Sequence, residues 1–210
     1  MIKTIIHIAD VHIVNSTDEY EEKQKSLIKS LVKEAKKYKR EELRIVLVGD
    51  TFDGKVKASN EAKKCFYQLL NVCNSICPTY IVAGNHDMLQ NNTDKMDSIA
   101  PTFEIKDVYK NIKYIDKETG FKSGCIVDDN IVWVLYSMHD HFARPDLDAI
   151  RNEHPDSILV GLYHGDVPGA TTDVGFMHES GLPGEAFAGL DCVMAGHIHR
   201  RQEIRKEGVP

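Results

Sequence analysis

The sequence predicts an α/β fold in which two packed, mixed β-sheets are flanked by helices. Short runs rich in β-branched residues alternate with longer amphipathic runs, which is the pattern of layered α/β domains. Buried strands are predicted at residues 4–9, 44–48, 78–83, 158–163 and 192–195. The second sheet is indicated by three apolar runs that follow one another without helices between them, at residues 112–115, 124–127 and 131–136.

Two amphipathic helices are predicted to cover the sheets. Between residues 19 and 38 the apolar side chains recur mostly at helical spacing, with Lys and Glu between them. A second helix is predicted over residues 59–72, with Ser59 in the position of its N-cap. Each helix therefore presents one apolar face to a sheet and one charged face to solvent.

Length and composition are those of an ordinary globular protein. The 210 residues fit one domain, residues 1–210, and the 42% hydrophobic and 28% charged residues differ from the composition of disordered or membrane proteins. No apolar run is as long as a bilayer span, and the N-terminal segment lacks a small-residue cleavage site. The cysteines form no CxxC pair, so reduced thiols and a cytoplasmic location are expected.

The formal net charge of −6 argues against a protein that binds nucleic acid through a broad basic face. It leaves open a local site at which bound metal supplies the positive charge.

Side chains that bind metals stand directly after five of the predicted strands. Because sites in α/β sheets form outside the carboxyl ends of the strands, we expect these loops to converge on one crevice. In an extended segment, residues i and i+2 point to the same side, so the two histidines of GHIH are expected to be neighbours. The candidates are Asp10, His12, Asp50, Asp53, Asn85, His86, His164, His197 and His199.

The types of donor point to a reaction. Aspartate, histidine and an asparagine carbonyl, without cysteine, suit manganese, iron, zinc or magnesium. There are enough donors for two ions if one carboxylate is shared. Two ions roughly 3.5 to 4 Å apart can hold a phosphate between them and stabilise both the attacking and the leaving oxygen. The pattern therefore predicts phosphoester hydrolysis.

The segments DVH, GDTFD, GNHD, YHGD and GHIH, in this order, resemble the motif set of the calcineurin-like metallophosphoesterases. The resemblance covers residues 10–199 and implies a β-sandwich of four layers: helices, sheet, sheet and helices. It also implies two ions that share the carboxylate of Asp50. The implied ligands of one ion are Asp10, His12, Asp50 and His199, and those of the other are Asp50, Asn85, His164 and His197.

The same resemblance implies a histidine that is kept off the metals. His86 matches the family histidine that faces the scissile phosphate, and Asp53 matches the acid that orients it. An imidazole can donate a proton to the leaving alkoxide, and a nearby carboxylate fixes the ring. Asp87 matches neither role, and we expect it to cap its own loop through the backbone.

The residues around the ligands are most similar to one branch of this superfamily. IIHIADVHI, GDTFDGK and YHGDVPGATTDVGF resemble the SbcD-type nuclease subunit of the DNA double-strand-break repair complex, including its phage relatives. This implies a manganese-dependent exonuclease or endonuclease that acts on DNA, with an ATPase of the structural-maintenance type as a partner and a homodimer as a further assembly. A phage protein would act in the host cytoplasm. The C-terminal strands and the cap domain of that branch are expected to be absent.

Two other functions remain open. A phosphatase or phosphodiesterase of small phosphoesters or cyclic nucleotides would use the same ligands, and the acidic net charge is compatible with it. A metal-binding scaffold without catalysis is the third reading, although such proteins typically lose a ligand or the active-site histidine and none is missing here. The candidates for local contact with DNA are Arg144, Arg200 and Arg201.

A second HxH pattern occurs in SMHDHFARPD, after the strand at 131–136. His139, His141 and Arg144 could contact substrate beside the metals. We favour an ordinary surface loop, because the segment has no counterpart among the family's ligands.

Overall fold

The computed structural model describes residues 1–14, 18–55, 57–89, 91–92, 94–105 and 107–205. Its first sheet consists of four parallel strands in the order β1-β2-β3-β4. A strand covered on both faces takes a continuous apolar sequence, and all six residues of β2, LRIVLV, are buried. The strands are β1 (Thr4–Ala9), β2 (Leu43–Val48), β3 (Thr79–Val82) and β4 (Ile112–Tyr114).

The second sheet has the order β5-β6-β7-β8, with β5 antiparallel to β6 and the other neighbours parallel. The predicted architecture of two packed sheets flanked by helices is confirmed. One detail differs, because the first sheet is parallel throughout rather than mixed. The strands are β5 (Gly124–Asp128), β6 (Ile131–Tyr136), β7 (Ile158–His164) and β8 (Cys192–Gly196).

The strand β4 belongs to the first sheet, which corrects the sequence-based prediction. Ile112 pairs with Thr79, and Tyr114 pairs with Ile81. The prediction grouped this strand with its neighbours in sequence because no long helix separates them. Pairing with β3, which lies much earlier in the chain, is a long-range contact that local periodicity does not report.

Helices pack on the outer faces of the sheets. Ser59 caps α2 (Asn60–Ile76) as predicted, because its Oγ accepts a hydrogen bond from the N–H of Ala62 at 3.1 Å. This helix continues past its predicted end, since Cys73 is also buried on its core face. The helices are α1 (Asp18–Ala35), α2 (Asn60–Ile76), α3 (Ala100–Phe103), α4 (Ile115–Glu118) and α5 (Leu147–Glu153), with 3-10 turns at Arg40–Glu42, Met138–Asp140 and Gly184–Phe187.

The inner faces of the sheets form a common core. Val46 and Tyr80 of the first sheet pack with Trp133 and Leu162 of the second, and the rings of Tyr80 and Trp133 lie 5.0 Å apart between centroids. Burial of such large side chains contributes about 1.5 to 3 kcal/mol each. This packing fixes one sheet against the other, and with it the relative positions of the loops at the strand ends.

Two further observations concern membrane-spanning helices and the cysteines. Within the described residues, no helix has both the length and the apolar character needed to cross a bilayer. The five cysteines are free thiols, as the sequence predicts.

Candidate metal centre

The loops after β1, β2 and β8 hold four predicted ligands in left-handed backbone conformations. The φ angles are 55° at Asp10, 46° at His12, 47° at Asp50 and 89° at His197. Such conformations cost non-glycine residues about 1 to 3 kcal/mol and persist only where surrounding contacts hold them. The N–H of His12 donates to the carbonyl of Asp50 at 2.9 Å, and that of Asp10 donates to the carbonyl of Gly49 at 3.2 Å. The first two loops are therefore one hydrogen-bonded unit.

Asp50 lies at the centre of the site. Its buried carboxylate places Oδ2 3.2 Å from Nε2 of His164 and 3.7 Å from Nε2 of His12. Its Oδ1 accepts a hydrogen bond from the N–H of His86 at 2.7 Å. One carboxylate thus faces donors from both sheets, as a bridging ligand must.

A buried group of donors lies on one side of Asp50. The side chain of His164 is 1% exposed, and its Nδ1–H donates to the carbonyl of Val48 at 3.0 Å, which turns Nε2 towards the site. Oδ1 of Asn85 lies 3.2 Å from that Nε2 and 2.9 Å from Nδ1 of His197. The neutral tautomer of His164 therefore points a lone pair at the oxygens of Asp50 and Asn85. A cation between these atoms would remove the repulsion between their lone pairs.

A more open group lies on the other side. Nε2 of His12 is 3.1 Å from Nε2 of His199, and the two rings are 4.9 Å apart between centroids. The carboxylate of Asp10 accepts the N–H of His197 at 2.9 and 3.1 Å, which connects this group to the buried one. Each neutral imidazole has one N–H and one lone pair, so these two nitrogens can share a hydrogen bond or direct both lone pairs to one cation.

The pKa values of Asp50, His12 and His197 favour the protonation states that metal ligands need, whereas the pKa of His164 is raised. Burial alone would raise the pKa of Asp50, but the hydrogen bond and charge of His164 outweigh it, so this pKa lies below its usual value. Burial alone would lower the pKa of His164, and the Asp50 carboxylate reverses the shift. Burial lowers the pKa of His12 and of His197. At neutral pH the site therefore offers an ionised carboxylate and two neutral imidazoles.

These residues fit a pair of divalent ions. Among the described residues, three groups of carboxylate and imidazole donors have ligand atoms within 4.8 Å of one another. Nδ1 of His12 is also buried without a hydrogen-bond partner among the described residues. The groups are Asp10, His12 and His199; His12, Asp50 and His86; and Asp50, His164 and His197. All seven predicted metal ligands thus lie together, since Asn85 contacts His164 and His197.

His86 is held by protein backbone rather than by a carboxylate. Its Nδ1 lies 2.7 Å from the carbonyl oxygen of Asp53, which can only accept, so Nδ1 carries the proton and Nε2 remains available. The carboxylate of Asp53 is 55% exposed and lies 3.5 Å from Nδ1 of His12. Asp53 therefore contacts His86 as the motif implies, but through its main chain.

Asp87 caps its own loop, as the sequence predicts, and also connects that loop to the one after β2. Its carboxylate accepts N–H groups from Gly84 at 2.9 Å, Thr51 at 3.1 Å and Phe52 at 2.9 Å. Complete burial raises the pKa of Asp87 to about 7, although these three donors favour the charged form. The side chain acts on the site by fixing the loops that carry Asp50 and Asn85.

Asp166 and His178 are two residues of the site that the sequence analysis did not assign. Oδ1 of Asp166 is buried, 2.8 Å from Nδ1 of His178 and 3.4 Å from Nε2 of His197, at ion-pair distance without full hydrogen-bond alignment. His197 turns its other nitrogen towards Asn85. Metal-bound histidines commonly donate their second N–H to a carboxylate. The position of Asp166 in YHGD, two residues after a ligand, was the available signal.

Two motif glycines allow the strands to approach His164. Gly49 has φ of 75°, and a Cβ added there would collide with the imidazole of His164. A Cβ at Gly196 would collide with the same ring and with the carbonyl of Val48. The glycines of GD and GH are therefore required by close packing around a buried ligand.

The candidate DNA-contacting arginines differ in their surroundings. Arg144 donates to the carbonyls of Ala186 and Ala188, both at 3.0 Å, so its guanidinium is engaged by the protein. Arg200 is exposed and donates to Oγ1 of Thr171 at 2.9 Å, and Arg201 is exposed.

The surface-loop interpretation of SMHDHFARPD is wrong for one of its histidines. The His139 side chain is 4% exposed, with Nε2 3.4 Å from Oδ2 of Asp97. His141 is exposed, as predicted. His139 is buried because it has a polar partner, Asp97, in the core, and a local sequence pattern does not reveal such a partner.

This fold and this set of donors are typical of metal-dependent phosphoesterases. The chain belongs to the calcineurin-like phosphoesterase family, which matches residues 3–201. That family uses divalent metals and implies metal-dependent hydrolysis of phosphoesters. The chain is also similar to a protein of Acanthamoeba polyphaga mimivirus named "Uncharacterized protein R555", with 33% identity over 217 residues. The match covers 98% of this chain and 15% of the viral protein.

Proposed function

We propose that this chain is a two-metal phosphodiesterase that cleaves DNA with manganese, in the manner of the SbcD-type nuclease subunits that its motifs resemble. The main support is the convergence of two groups of metal donors on Asp50, with His86 beside them and bonded to the backbone of Asp53. Two neighbouring ions suit in-line displacement at phosphorus.

The chain's own residues have distinct tasks in this reaction. Two divalent ions bound to these donors would polarise the phosphodiester and lower the pKa of the attacking water. Asp50 provides negative charge to both donor groups. In its imidazolium form, with Nδ1–H held by the carbonyl of Asp53, His86 donates the proton on Nε2 to the leaving oxygen and becomes the neutral imidazole, which contributes about 10²- to 10⁴-fold to the rate. The bonds from His86 to Asp53 and Asp50 keep the ring in that position.

Manganese is the proposed metal, with iron, zinc and magnesium as the alternatives. The donors are imidazoles, carboxylates and one amide oxygen, and the described thiols lie outside the donor groups. Mixed nitrogen and oxygen ligands suit a borderline or hard divalent ion.

DNA is the proposed substrate because of the motif resemblance and the charge next to the site. Arg200 and Arg201 follow His199 directly and are exposed, so they supply positive charge where a phosphate backbone would approach. With a net charge of −6, DNA contact is confined to such local positions. An ATPase of the structural-maintenance type, a homodimer and a cytoplasmic location, in the host for a phage protein, complete the proposal.

The deciding experiment measures cleavage of linear and single-stranded DNA with manganese by the wild type and by His86→Ala. We expect the variant to lose about 10²- to 10⁴-fold in kcat while it binds two equivalents of manganese. His141→Ala is the matched control, since it removes an exposed histidine outside the donor groups. Equal cleavage by His86→Ala and wild type would refute the mechanism.

A phosphatase or phosphodiesterase of small substrates is the second candidate. The acidic net charge and the engagement of Arg144 by main-chain carbonyls support it. Its signature is hydrolysis of a small aryl phosphodiester, a monoester or a cyclic nucleotide with manganese, without cleavage of DNA. RNA belongs in the same panel.

A metal-binding scaffold without catalysis is the third candidate. It requires fewer than two bound equivalents after manganese loading, together with no hydrolysis of any substrate in the panel. The complete donor set argues against it.

A further inference from the structure

A cavity adjoins the buried half of the donor site. Its volume is about 240 Å³, and Asn85, His164 and His197 form part of its lining. Phe142 and Leu182 contribute apolar surface to the same cavity. When these donors hold the phosphate of a substrate, the organic group esterified to that phosphate would therefore lie next to an apolar recess.

Phe142 is held in this lining by a costly backbone conformation. It has φ of 59°, as does His141 before it, and bulky residues seldom adopt this region. The N–H of Phe142 donates to the carbonyl of Ser137 at 2.8 Å, and that of His141 donates to Met138 at 3.3 Å. The ring of Phe142 packs edge-on to that of Tyr163, with 5.0 Å between centroids. Backbone hydrogen bonds and an aromatic neighbour thus fix the position of the ring.

The carboxylate in the lining indicates which kind of group the cavity can bind. Asp166 lines the cavity with a carboxylate that is 30% exposed. A second phosphate would be repelled there, whereas a planar ring with N–H donors would be accepted. Apolar or aromatic walls together with a hydrogen-bonding edge are how proteins hold an unstacked nucleobase.

We infer that this cavity binds the base of a nucleotide that flanks the scissile phosphate, and that Phe142 is a specificity-determining residue. The inference rests on the proposed function, because it names the part of the DNA that the chain recognises. Stacking of a base on an aromatic ring is sequence-tolerant, so the cavity distinguishes a base from its absence rather than one base from another.

The test uses oligonucleotides that differ only in one base. After the scissile phosphate has been mapped, an abasic tetrahydrofuran residue is placed on its 5′ side or on its 3′ side, and kcat/KM with manganese is compared with that of the complete strand. The wild type should prefer the complete strand by about 10- to 100-fold over one of the two abasic strands. Phe142→Ala should lose this preference while its kcat/KM on the abasic strand stays within about twofold of the wild-type value.

Two further variants separate stacking from folding. Phe121→Ala is the matched control, because Phe121 also has a left-handed φ, of 58°, and does not line the cavity. It should keep the wild-type preference. Phe142→Leu retains an apolar side chain without a π-face, so it should also lose most of the preference. If Phe142→Ala does not melt cooperatively or does not bind manganese, Phe142→Leu decides the question.

The outcomes distinguish this inference from the proposed function. In one outcome, the wild type and the Phe142 variants all cleave DNA with the same ratio of kcat/KM on the complete strand to kcat/KM on the abasic strand. That result would refute base binding in the cavity and leave the proposed nuclease function intact. A wild type that hydrolyses a small aryl phosphodiester but no DNA would overturn the nuclease, and the base cavity with it.

Discussion

Two segments of this chain have the pattern His-x-His after a buried strand, and their side chains have different surroundings. His139 and His141 follow β6, whereas His197 and His199 follow β8. Both histidines of the second segment reach the donor groups, but the first segment buries one histidine in a polar cluster and exposes the other. Identical spacing therefore does not by itself make a metal site.

The balance of donors and acceptors explains the difference. Asp97, beside His139, accepts the N–H groups of Ile99 and Ala100 at 2.8 Å each and the hydroxyl of Tyr114 at 2.7 Å. That carboxylate is satisfied by protein donors. Around Asp50, by contrast, Nε2 of His164 faces the carboxylate and the amide oxygen of Asn85, which are both acceptors. A cation bound there would neutralise this excess of acceptors. A buried Asp–His pair is thus a ligand pair only where acceptors are in excess.

Asp50→Asn should have the greatest effect, because it removes the charge that both donor groups share. We expect hydrolysis of the preferred phosphodiester to fall by about 10³-fold or more, together with loss of bound manganese equivalents. Asp97→Asn is the control from the other segment and should keep the wild-type metal content. Full metal loading of Asp50→Asn would disprove the bridging role.

Asp166→Asn should weaken metal binding without removing a ligand. The carboxylate faces the second nitrogen of His197, and loss of such a partner typically lowers metal affinity about 10- to 100-fold. Manganese titration measures the effect directly. Asp173→Asn, an exposed position on the same loop, should bind as the wild type does, and a similar affinity for both variants would exclude this support role.

His139→Gln should destabilise the fold while the metal content stays unchanged. Since Asp97 keeps its three protein donors, we expect a loss of about 1 to 3 kcal/mol, which urea denaturation measures. Burial alone would lower the pKa of His139, but Asp97 and nearby carboxylates raise it above 6.5. The folded state thus holds the proton more tightly, so this stabilisation is complete below pH 6.5 and fades as the pH rises through the folded value.

The difference in unfolding free energy between wild type and His139→Gln should therefore shrink as the pH rises from 6.5 through the raised pKa of His139. The pKa of Asp97 is lowered against the effect of burial by His139 and Tyr114, so its own contribution fades only at acid pH and does not interfere. A difference that is constant over this range would mean that the pair does not titrate.

His141→Ala should have the smallest effect, within about 1 kcal/mol in stability, because Ala must keep the same φ of 59°. The side chain is exposed and lies outside the donor groups of the described residues. DNA cleavage and thermal denaturation of this variant should match those of the wild type. A large loss of activity would bring the first His-x-His segment back as part of the site.

The amino-acid pattern was a sufficient basis for predicting the layered architecture, and the structure brings the nine candidate residues to one edge of the two sheets. Metal donors placed directly after buried strands are a local signal, and carboxyl ends converge by general rules of topology. The errors concern long-range partners. The sheet that β4 joins depends on β3, and the burial of His139 depends on Asp97.

The identity and order of the donors came from the chain's covalent sequence, because residue type and spacing are local properties. Their grouping was decided by folding. The packing of the two sheets brings His164 against Val48 and Asp50. The pairing of neighbouring strands within each sheet turns the main chain of Asp53 rather than its carboxylate to His86, and places Asp166 behind His197. Such contacts join residues far apart in sequence, and their geometry depends on backbone angles and burial that no local pattern specifies.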